Sequence, residues 1–194
     1  MKYELLHEDE HLLVVNKPAG LLTIPDRAGN KDSLLGALEK RYGKVFVVHR
    51  LDRETSGILC FARSAEAHRN LSMQFEHHTA DKFYYALIDG ELHHEEGEID
   101  KPIGEHPVIP GKMAIVKNGK ASLTFYRVTE RFPRFTLAEV LIKTGRTHQI
   151  RVHFQSIGYS LAVDALYGRR PAFYLSEIKG KSYKSGKHSE EERP

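Results

Sequence analysis

Alternating and continuous apolar segments along the chain predict a series of short strands. The segments are "HLLVV", "VFVV", "ILCFA", "KFYYALIDGEL", "SLTFYRV" and "FTLAEVLI". Pro18 and Gly20 mark a turn after the first segment, and "TERFPR" is expected to be the turn between the last two. Strands outnumber helices and do not alternate regularly with them. The pattern therefore favours an α+β fold with a mixed, mainly antiparallel sheet and flanking helices.

Three amphipathic segments predict helices with recognisable ends. "DSLLGALEKRYG" has Asp32 as its expected N-cap and Gly43 just after its end. "SAEAHRNLSMQFEHH" has Ser64 as its expected N-cap. "THQIRVHFQSIG" is expected to begin after Thr147 and to end at Gly158.

Length and composition suit one compact domain of medium size or two small ones. The chain has 194 residues, 40% of them hydrophobic, and we expect a single catalytic domain over residues 1–178. Residues 179–194 contain a single tyrosine and no aliphatic residue, which predicts a polar flexible tail. The one cysteine, Cys60, excludes an intramolecular disulfide and fits a reducing cytoplasm. No apolar run is long enough for a membrane span.

The net charge of +3 is small, but basic residues are concentrated between residues 143 and 170. This stretch has a single acid, Asp164, and five basic side chains: Lys143, Arg146, Arg151, Arg169 and Arg170. Such a patch suits a polyanion such as nucleic acid. A cluster of charges by itself is more often an ordinary solvated face than a binding site.

Three polar stretches contain the candidate chemistry. In "VVHRLDRETSGILCFAR", Asp52 lies between two arginines at the tip of a predicted hairpin, and a nearby cation would keep it ionised. In "KTGRTHQIRVH", Arg146 and His148 precede a helix on which Arg151 lies away from the inward-facing stripe. In "DKFYYALIDG", neighbouring strand residues point to opposite faces, so only one tyrosine can face a given site.

Taken in this order, "HRLDRETSG", "KFYYALIDG" and "KTGRTHQIRVH" resemble the signature motifs of the RluA-type RNA pseudouridine synthases. "VVNKPAG" and "VDALYG" agree with the same family, and the resemblance covers most of residues 10–170. It implies a pseudouridine synthase fold, in which a central catalytic cleft crosses the sheet. It also implies an enzyme that isomerises uridine in structured RNA, either rRNA or tRNA.

The resemblance assigns roles by position. Asp52 falls on the catalytic aspartate, Tyr84 on the active-site tyrosine, and Arg151 on the basic residue that pairs with the aspartate. Arg50 falls on the arginine that fills the gap left by a flipped nucleotide. The remaining expected RNA contacts are Arg53, Lys143, Arg146, His148, Arg169 and Arg170. No metal or organic cofactor is expected, and we expect a cytoplasmic monomer without an obligate protein partner.

The sequence departs from the family pattern in two places. Ser160 and Val163 replace the usual proline and glycine of the loop "GYSLAVD", which predicts a small change of loop shape with Asp164 and Gly168 still matching. Relatives normally continue into a further strand with a Leu-His-Ala pattern. We therefore expect that residues 179–194 are either divergent or part of a shortened C-terminal segment. No separate RNA-binding domain is expected before the first strand.

Two other functions are compatible with parts of the sequence. The 12 histidines include "EHH" and "HHEE", but neither has the spacing of a helical zinc site, so a metal hydrolase is disfavoured. A catalytically inactive RNA-binding module with the same fold is the second alternative. The joint presence of Asp52, Tyr84 and Arg151 argues against it. Cys60 lies within an apolar strand and is expected to be a packing residue.

Overall fold

The computed structural model describes residues 3–26, 32–170 and 172–173, and the chain forms two compact units. The N-terminal unit comprises residues 1–80 and the C-terminal unit residues 81–194. The predicted polar tail, residues 179–194, lies outside the described residues. The single domain over residues 1–178 stays a prediction.

The N-terminal unit contains a four-stranded antiparallel sheet in the order β1-β2-β4-β3. Its elements are β1 (Glu4–Glu8), β2 (Leu12–Lys17), α1 (Leu34–Tyr42), β3 (Phe46–Val47), β4 (Gly57–Ala62) and α2 (Ala65–Glu76). Strict alternation in β2 buries Leu13, Val15 and Lys17. The inward position of a lysine is the unusual feature of this strand.

The first helix begins one residue later than its expected cap. Ser33, rather than Asp32, is the N-cap of α1, and its hydroxyl accepts a hydrogen bond from the Gly36 amide at 3.2 Å. Gly43 ends the helix with a φ of 75°, as predicted. Ser64 caps α2 as predicted by accepting from the Ala67 amide.

The C-terminal unit contains a five-stranded antiparallel sheet in the order β11-β5-β10-β9-β6 and a two-stranded sheet, β7-β8. Its elements are β5 (Lys82–Asp89), β6 (Glu96–Asp100), β7 (Ile103–Glu105), β8 (Met113–Ile115), β9 (Leu123–Phe132), β10 (Phe135–Ile142), α3 (Gln149–Ser156) and β11 (Ser160–Leu161). Phe154 of α3 is fully buried in the core formed with one face of the larger sheet, where Ile88 and Val140 lie.

The α+β class and the dominance of antiparallel pairing are confirmed. Every pair of named strands within the described residues is antiparallel. The strands are divided among three sheets. None of the helices in the described ranges has the length and hydrophobicity needed to span a lipid bilayer.

Two further local predictions were wrong. Thr147 does not cap α3, because the chain enters the helix through His148 in the left-handed conformation, with a φ of 57°. The Gln149 side chain supports this end instead by accepting a hydrogen bond from the Arg146 amide at 3.0 Å. The turn expected at "TERFPR" is shorter, since β9 continues to Phe132.

Candidate active site

Asp52 lies in the connection between β3 and β4, where the backbone is anchored on both sides of it. The Thr23 hydroxyl donates to the Leu51 carbonyl at 2.9 Å and accepts from the Leu51 amide at 3.3 Å. On the other side, the Arg53 carbonyl accepts from the Gly20 amide at 2.9 Å. The residue therefore has a fixed backbone position on the rim of the N-terminal unit, and it is half-buried.

Lys17 supports the same loop from inside the fold. Its side chain is fully buried, and Nζ donates to three carbonyl oxygens, those of Pro18, Leu21 and Arg53, at 3.0, 2.8 and 3.0 Å. Burial lowers the pKa of the Lys17 ammonium, while the carboxylates of Glu54 and Asp52 oppose this change. The two carboxylates thus help to keep the buried Lys17 charged.

Three other polar residues of "HRLDRETSG" differ in their contacts and exposure. His49 Nε2 accepts from the Cys60 amide at 3.1 Å, and its ring stacks on Phe75, so this histidine ties the loop to β4 and α2. Arg53 is exposed, and its Nε donates to the Gly20 carbonyl at 3.1 Å. Arg50 is exposed as well.

Tyr84 and Tyr85 point to opposite faces of the five-stranded sheet, as their adjacent positions in β5 require. Tyr84 is half-buried and packs against the core of the C-terminal unit. Tyr85 is 69% exposed, and its hydroxyl is 3.4 Å from Glu139 Oε2. Tyr84 therefore lies on the face on which α3 packs.

Arg151, on α3, is held by a buried carboxylate of its own unit. Its Nε donates to Asp164 Oδ2 at 2.6 Å and its Nη2 to Asp164 Oδ1 at 2.7 Å. The two side chains are 19% and 4% exposed. Burial alone would raise the pKa of Asp164, but the bonds from Arg151 and from the Tyr167 and Leu166 amides outweigh it and lower the pKa.

Tyr167 joins three segments around this ion pair. The Arg151 guanidinium carbon lies 4.7 Å from the centre of the Tyr167 ring. The Tyr167 hydroxyl accepts from the Met113 amide of β8 at 2.8 Å and lies 2.8 Å from His148 Nδ1. His148 is thus brought next to the Arg151 site, at the entry to α3.

A buried polar network fixes α3 against β9. Gln149 Nε2 donates to Thr124 Oγ1 at 2.9 Å, and Thr124 Oγ1 lies 2.9 Å from His153 Nδ1. His153 Nε2 lies 3.0 Å from the Lys101 carbonyl, which can only accept, so the ring proton is on Nε2. Burial lowers the pKa of His153, and the neutral ring satisfies every bond of this network.

The other predicted RNA contacts already have protein partners or lie on the surface. Lys143 Nζ is 2.8 Å from Asp81 Oδ1, and Arg146 Nε donates to the Ala121 carbonyl at 3.2 Å. Arg170 Nε is 3.8 Å from Asp89 Oδ2. Arg169 is exposed.

Two buried charges next to the candidate residues were not among the predicted site residues. Lys17 follows the continuous apolar run of β2, and its burial is seen only in the structure. Asp164 was named as the single acid of residues 143–170 and as a matching position of its loop, but not as a site residue. Within the described residues, no group of three or more His, Cys, Asp or Glu side chains is arranged to hold a metal ion.

Comparison with known proteins identifies the family. A family model described as RNA pseudouridylate synthase matches residues 11–156. The chain belongs to this family. It is 43% identical over 172 residues to "Ribosomal large subunit pseudouridine synthase D" of Nitrosomonas europaea, an alignment covering 86% of this chain and 50% of the relative. It is 39% identical over 181 residues to "Dual-specificity RNA pseudouridine synthase RluA" of Vibrio parahaemolyticus, covering 90% and 72%.

A solved structure supports the same assignment. "Human RNA Pseudouridylate Synthase Domain Containing 1" has a TM-score of 0.77 and 27% identity, covering 88% of this chain and 71% of that chain. The predicted RluA-type resemblance is confirmed. The chain spans about half the length of the Nitrosomonas relative.

The altered loop of this family member retains a backbone suited to glycine. Val163, which stands where the family usually has glycine, has a φ of 52° and is 45% exposed. A β-branched residue is strained in this left-handed region. Gly168 remains necessary, because a Cβ there would clash with the Asp164 carbonyl oxygen.

Proposed function

We propose that this chain isomerises a uridine of structured RNA to pseudouridine. The observation that carries the proposal is family membership, with the model match extending over residues 11–156. The relatives include a protein named as a large-subunit ribosomal pseudouridine synthase and one named as a dual-specificity RNA pseudouridine synthase. We therefore propose rRNA or tRNA as the substrate. The cytoplasmic location and the monomeric state stay predictions.

The proposed reaction requires an ionised carboxylate at Asp52. The bond between ribose C1′ and uracil N1 breaks, the ring turns, and C1′ joins C5; the C5 proton leaves and N1 gains a proton. Asp52 either attacks C1′ or removes a sugar proton, and both routes stay open. The bonds at Leu51 and Arg53 restrict the position of the loop that carries this carboxylate.

Tyr84 and Arg151 have complementary proposed roles. A uridine inside stacked RNA is inaccessible, so it must be flipped out before it can react. Tyr84 would stack on the flipped base and assist removal of the C5 proton. Arg151 would pair with Asp52 and orient it. Because Asp52 and Arg151 belong to different units, this pairing stays a prediction.

The basic side chains are proposed to contact RNA. Arg50 would fill the space left by the flipped nucleotide, since a planar guanidinium can both stack and donate hydrogen bonds. The proposed phosphate contacts are Arg53, Lys143, Arg146, His148, Arg169 and Arg170. Binding should therefore weaken as salt rises.

Release of tritium from RNA labelled at uracil C5 tests the proposal. The protein should release tritium to water from rRNA or tRNA transcripts, and Asp52→Asn should abolish release without weakening RNA binding. Glu39→Gln, an exposed carboxylate change on α1, is the matched control and should retain full release. RNA binding by the unaltered protein without any release would contradict the proposal and support the inactive binding module.

A further inference from the structure

We infer that Asp164 is a positioning residue, which sets the orientation of the Arg151 guanidinium for the proposed reaction. The inference rests on the proposed function for its catalytic consequence, and on the geometry of the C-terminal unit for its structural content. It goes further than the pairing of Arg151 with Asp52, because it assigns a role to a second carboxylate.

The contact between the two side chains fixes the guanidinium in both direction and plane. Two parallel N–H···O bonds, at 2.6 and 2.7 Å, hold the Nε–Nη2 edge of Arg151 against the carboxylate. The Tyr167 ring, 4.7 Å away, supports the guanidinium. An arginine side chain has several rotatable bonds, and these contacts remove most of its freedom before any substrate arrives.

Asp164 is itself held rigidly by its own turn. Its Oδ1 accepts from the amides of Leu166 and Tyr167 at 2.9 and 3.0 Å, and its backbone carbonyl accepts from the Gly168 amide at 2.7 Å. The carboxylate therefore cannot follow the arginine if the arginine moves. A side chain that is 4% exposed, with Oδ1 held by two amides of its own turn, is suited to act as a fixed reference point.

This pair leaves Arg151 able to act on another group. A guanidinium has five N–H donors, and Asp164 uses one on Nε and one on Nη2. The remaining three, including both on Nη1, lie on other edges of the plane. Arg151 can thus remain fixed by Asp164 while donating to a second acceptor, such as a catalytic carboxylate or RNA.

Backbone strain on both sides of the pair is a second, independent observation. Val163 precedes Asp164 with a φ of 52°, and His148 begins the helix of Arg151 with a φ of 57°. They are two of the three non-glycine residues with positive φ in the described part of the chain; the third is His78. Strained backbone of this kind concentrates at functional sites.

The Asp164→Asn variant removes the negative charge of the ion pair while keeping the hydrogen bonds of the turn. The amide oxygen can still accept from the Leu166 and Tyr167 amides and from Arg151 Nη2, whereas the amide nitrogen that replaces Oδ2 cannot accept from Arg151 Nε. In single-turnover tritium release, we expect the rate to fall about 100-fold, with RNA affinity changed less than about threefold. Glu139→Gln, which breaks the Arg127–Glu139 pair on the exposed sheet face, is the matched control and should keep its rate.

A double-mutant cycle distinguishes positioning from general support of the fold. If Asp164 acts through Arg151, Asp164→Asn should slow the Arg151→Lys variant far less than it slows the unaltered protein. Multiplicative losses, or an unchanged rate in the correctly folded single variant, would overturn the inference. If Asp164→Asn does not fold, Asp164→Glu serves instead, since it keeps the charge and displaces the contact.

The Nε proton of Arg151 gives a readout that does not depend on catalysis. In the unaltered protein its NMR signal should exchange slowly with water, and in Asp164→Asn it should exchange at least tenfold faster. Loss of protection together with no tritium release from any RNA, even by the unaltered protein, would contradict the proposed function and retain the structural inference. Unchanged protection would contradict the inference itself.

Discussion

The two units hold their candidate catalytic side chains in opposite ways. In the N-terminal unit the bonds to Leu51 and Arg53 fix the backbone around Asp52, and a buried cation, Lys17, lies behind the loop. In the C-terminal unit a buried anion, Asp164, forms a hydrogen-bonded ion pair with the guanidinium of Arg151. The difference follows from side-chain length.

The carboxylate of an aspartate is close to its backbone, so fixing the backbone largely fixes the carboxylate. The guanidinium of an arginine lies at the end of a long flexible side chain and must be held by direct contacts. The comparison also shows a shared feature, because each unit buries a charge opposite in sign to its candidate side chain: Asp164 contacts Arg151 directly, whereas Lys17 bonds the backbone of the loop that carries Asp52. A buried partner strengthens the local field more than a solvated one, since screening by water is weaker there. Changes to either buried partner therefore test the comparison directly.

The largest expected stability effect is that of Lys17→Met. Methionine has a similar length, but it leaves the carbonyls of Pro18, Leu21 and Arg53 without their common donor. Leaving buried acceptors unsatisfied should cost about 2–4 kcal/mol. Urea unfolding measures this cost, and hydrogen exchange should show lost protection at the Gly20 and Leu51 amides.

Lys40→Met is the control for this change, because Lys40 is exposed on α1. It should leave both the urea midpoint and the exchange pattern almost unchanged. A Lys17→Met variant as stable as this control would mean that the Asp52 loop is held by its backbone bonds alone. The comparison between buried cation and buried anion would then fail.

The second prediction concerns pH and the neutral network behind Arg151. Burial lowers the pKa of His153 from its ordinary value of 6.5, so the unfolded chain binds a proton more readily than the folded one. The stabilising effect of the neutral ring is therefore complete above about pH 6.5 and is lost as the pH falls below it. Below about pH 6.5 the free energy of unfolding should therefore fall with the pH, by no more than about 1.4 kcal/mol per pH unit from this group.

His153→Asn should flatten this dependence, although the variant is less stable at every pH. His93→Asn is the control, since His93 is exposed between β5 and β6, and it should retain the slope of the unaltered protein. Urea midpoints measured at intervals from pH 5 to 8 provide the test. Equal slopes in His153→Asn and the unaltered protein would show that another group titrates.

Sequence patterns predicted most of the fold because most strands bury one face. In β2 and β10 the apolar runs predict strands, but the strictly alternating buried positions are seen only in the structure, because both faces carry apolar residues. β1 was missed because it is an edge strand with no buried residue and carries Glu4, His7 and Glu8. The left-handed entry to α3 at His148 was missed because Thr147 offers a good cap one residue earlier.

The candidate site was predictable as motifs but not as a network of charges. Asp52, Tyr84 and Arg151 were identified by resemblance, and their chemical roles stay predictions. Lys17 and Asp164 were not predicted as site residues, because a single sequence does not reveal which charged residues are buried. Their partners, Arg53 and Arg151, lie 36 and 13 residues away along the chain, and only folding brings them into contact.

The smallest expected effect is that of Val163→Gly, which tests whether strain accompanies the buried anion. A left-handed φ costs an L-residue about 1–2 kcal/mol, and glycine avoids this cost but loses about 0.5–1 kcal/mol of backbone entropy on folding. The variant should therefore be more stable by about 0.5–1 kcal/mol, which corresponds to a rise in Tm of about 2 °C.

Val108→Gly is the control, since Val108 is exposed in the β7–β8 loop without a positive φ, and it should be slightly destabilising. A loss of stability in Val163→Gly would show that the valine side chain contributes more than its backbone costs. Backbone strain next to Asp164 would then not be one of the differences between the surroundings of Arg151 and those of Asp52.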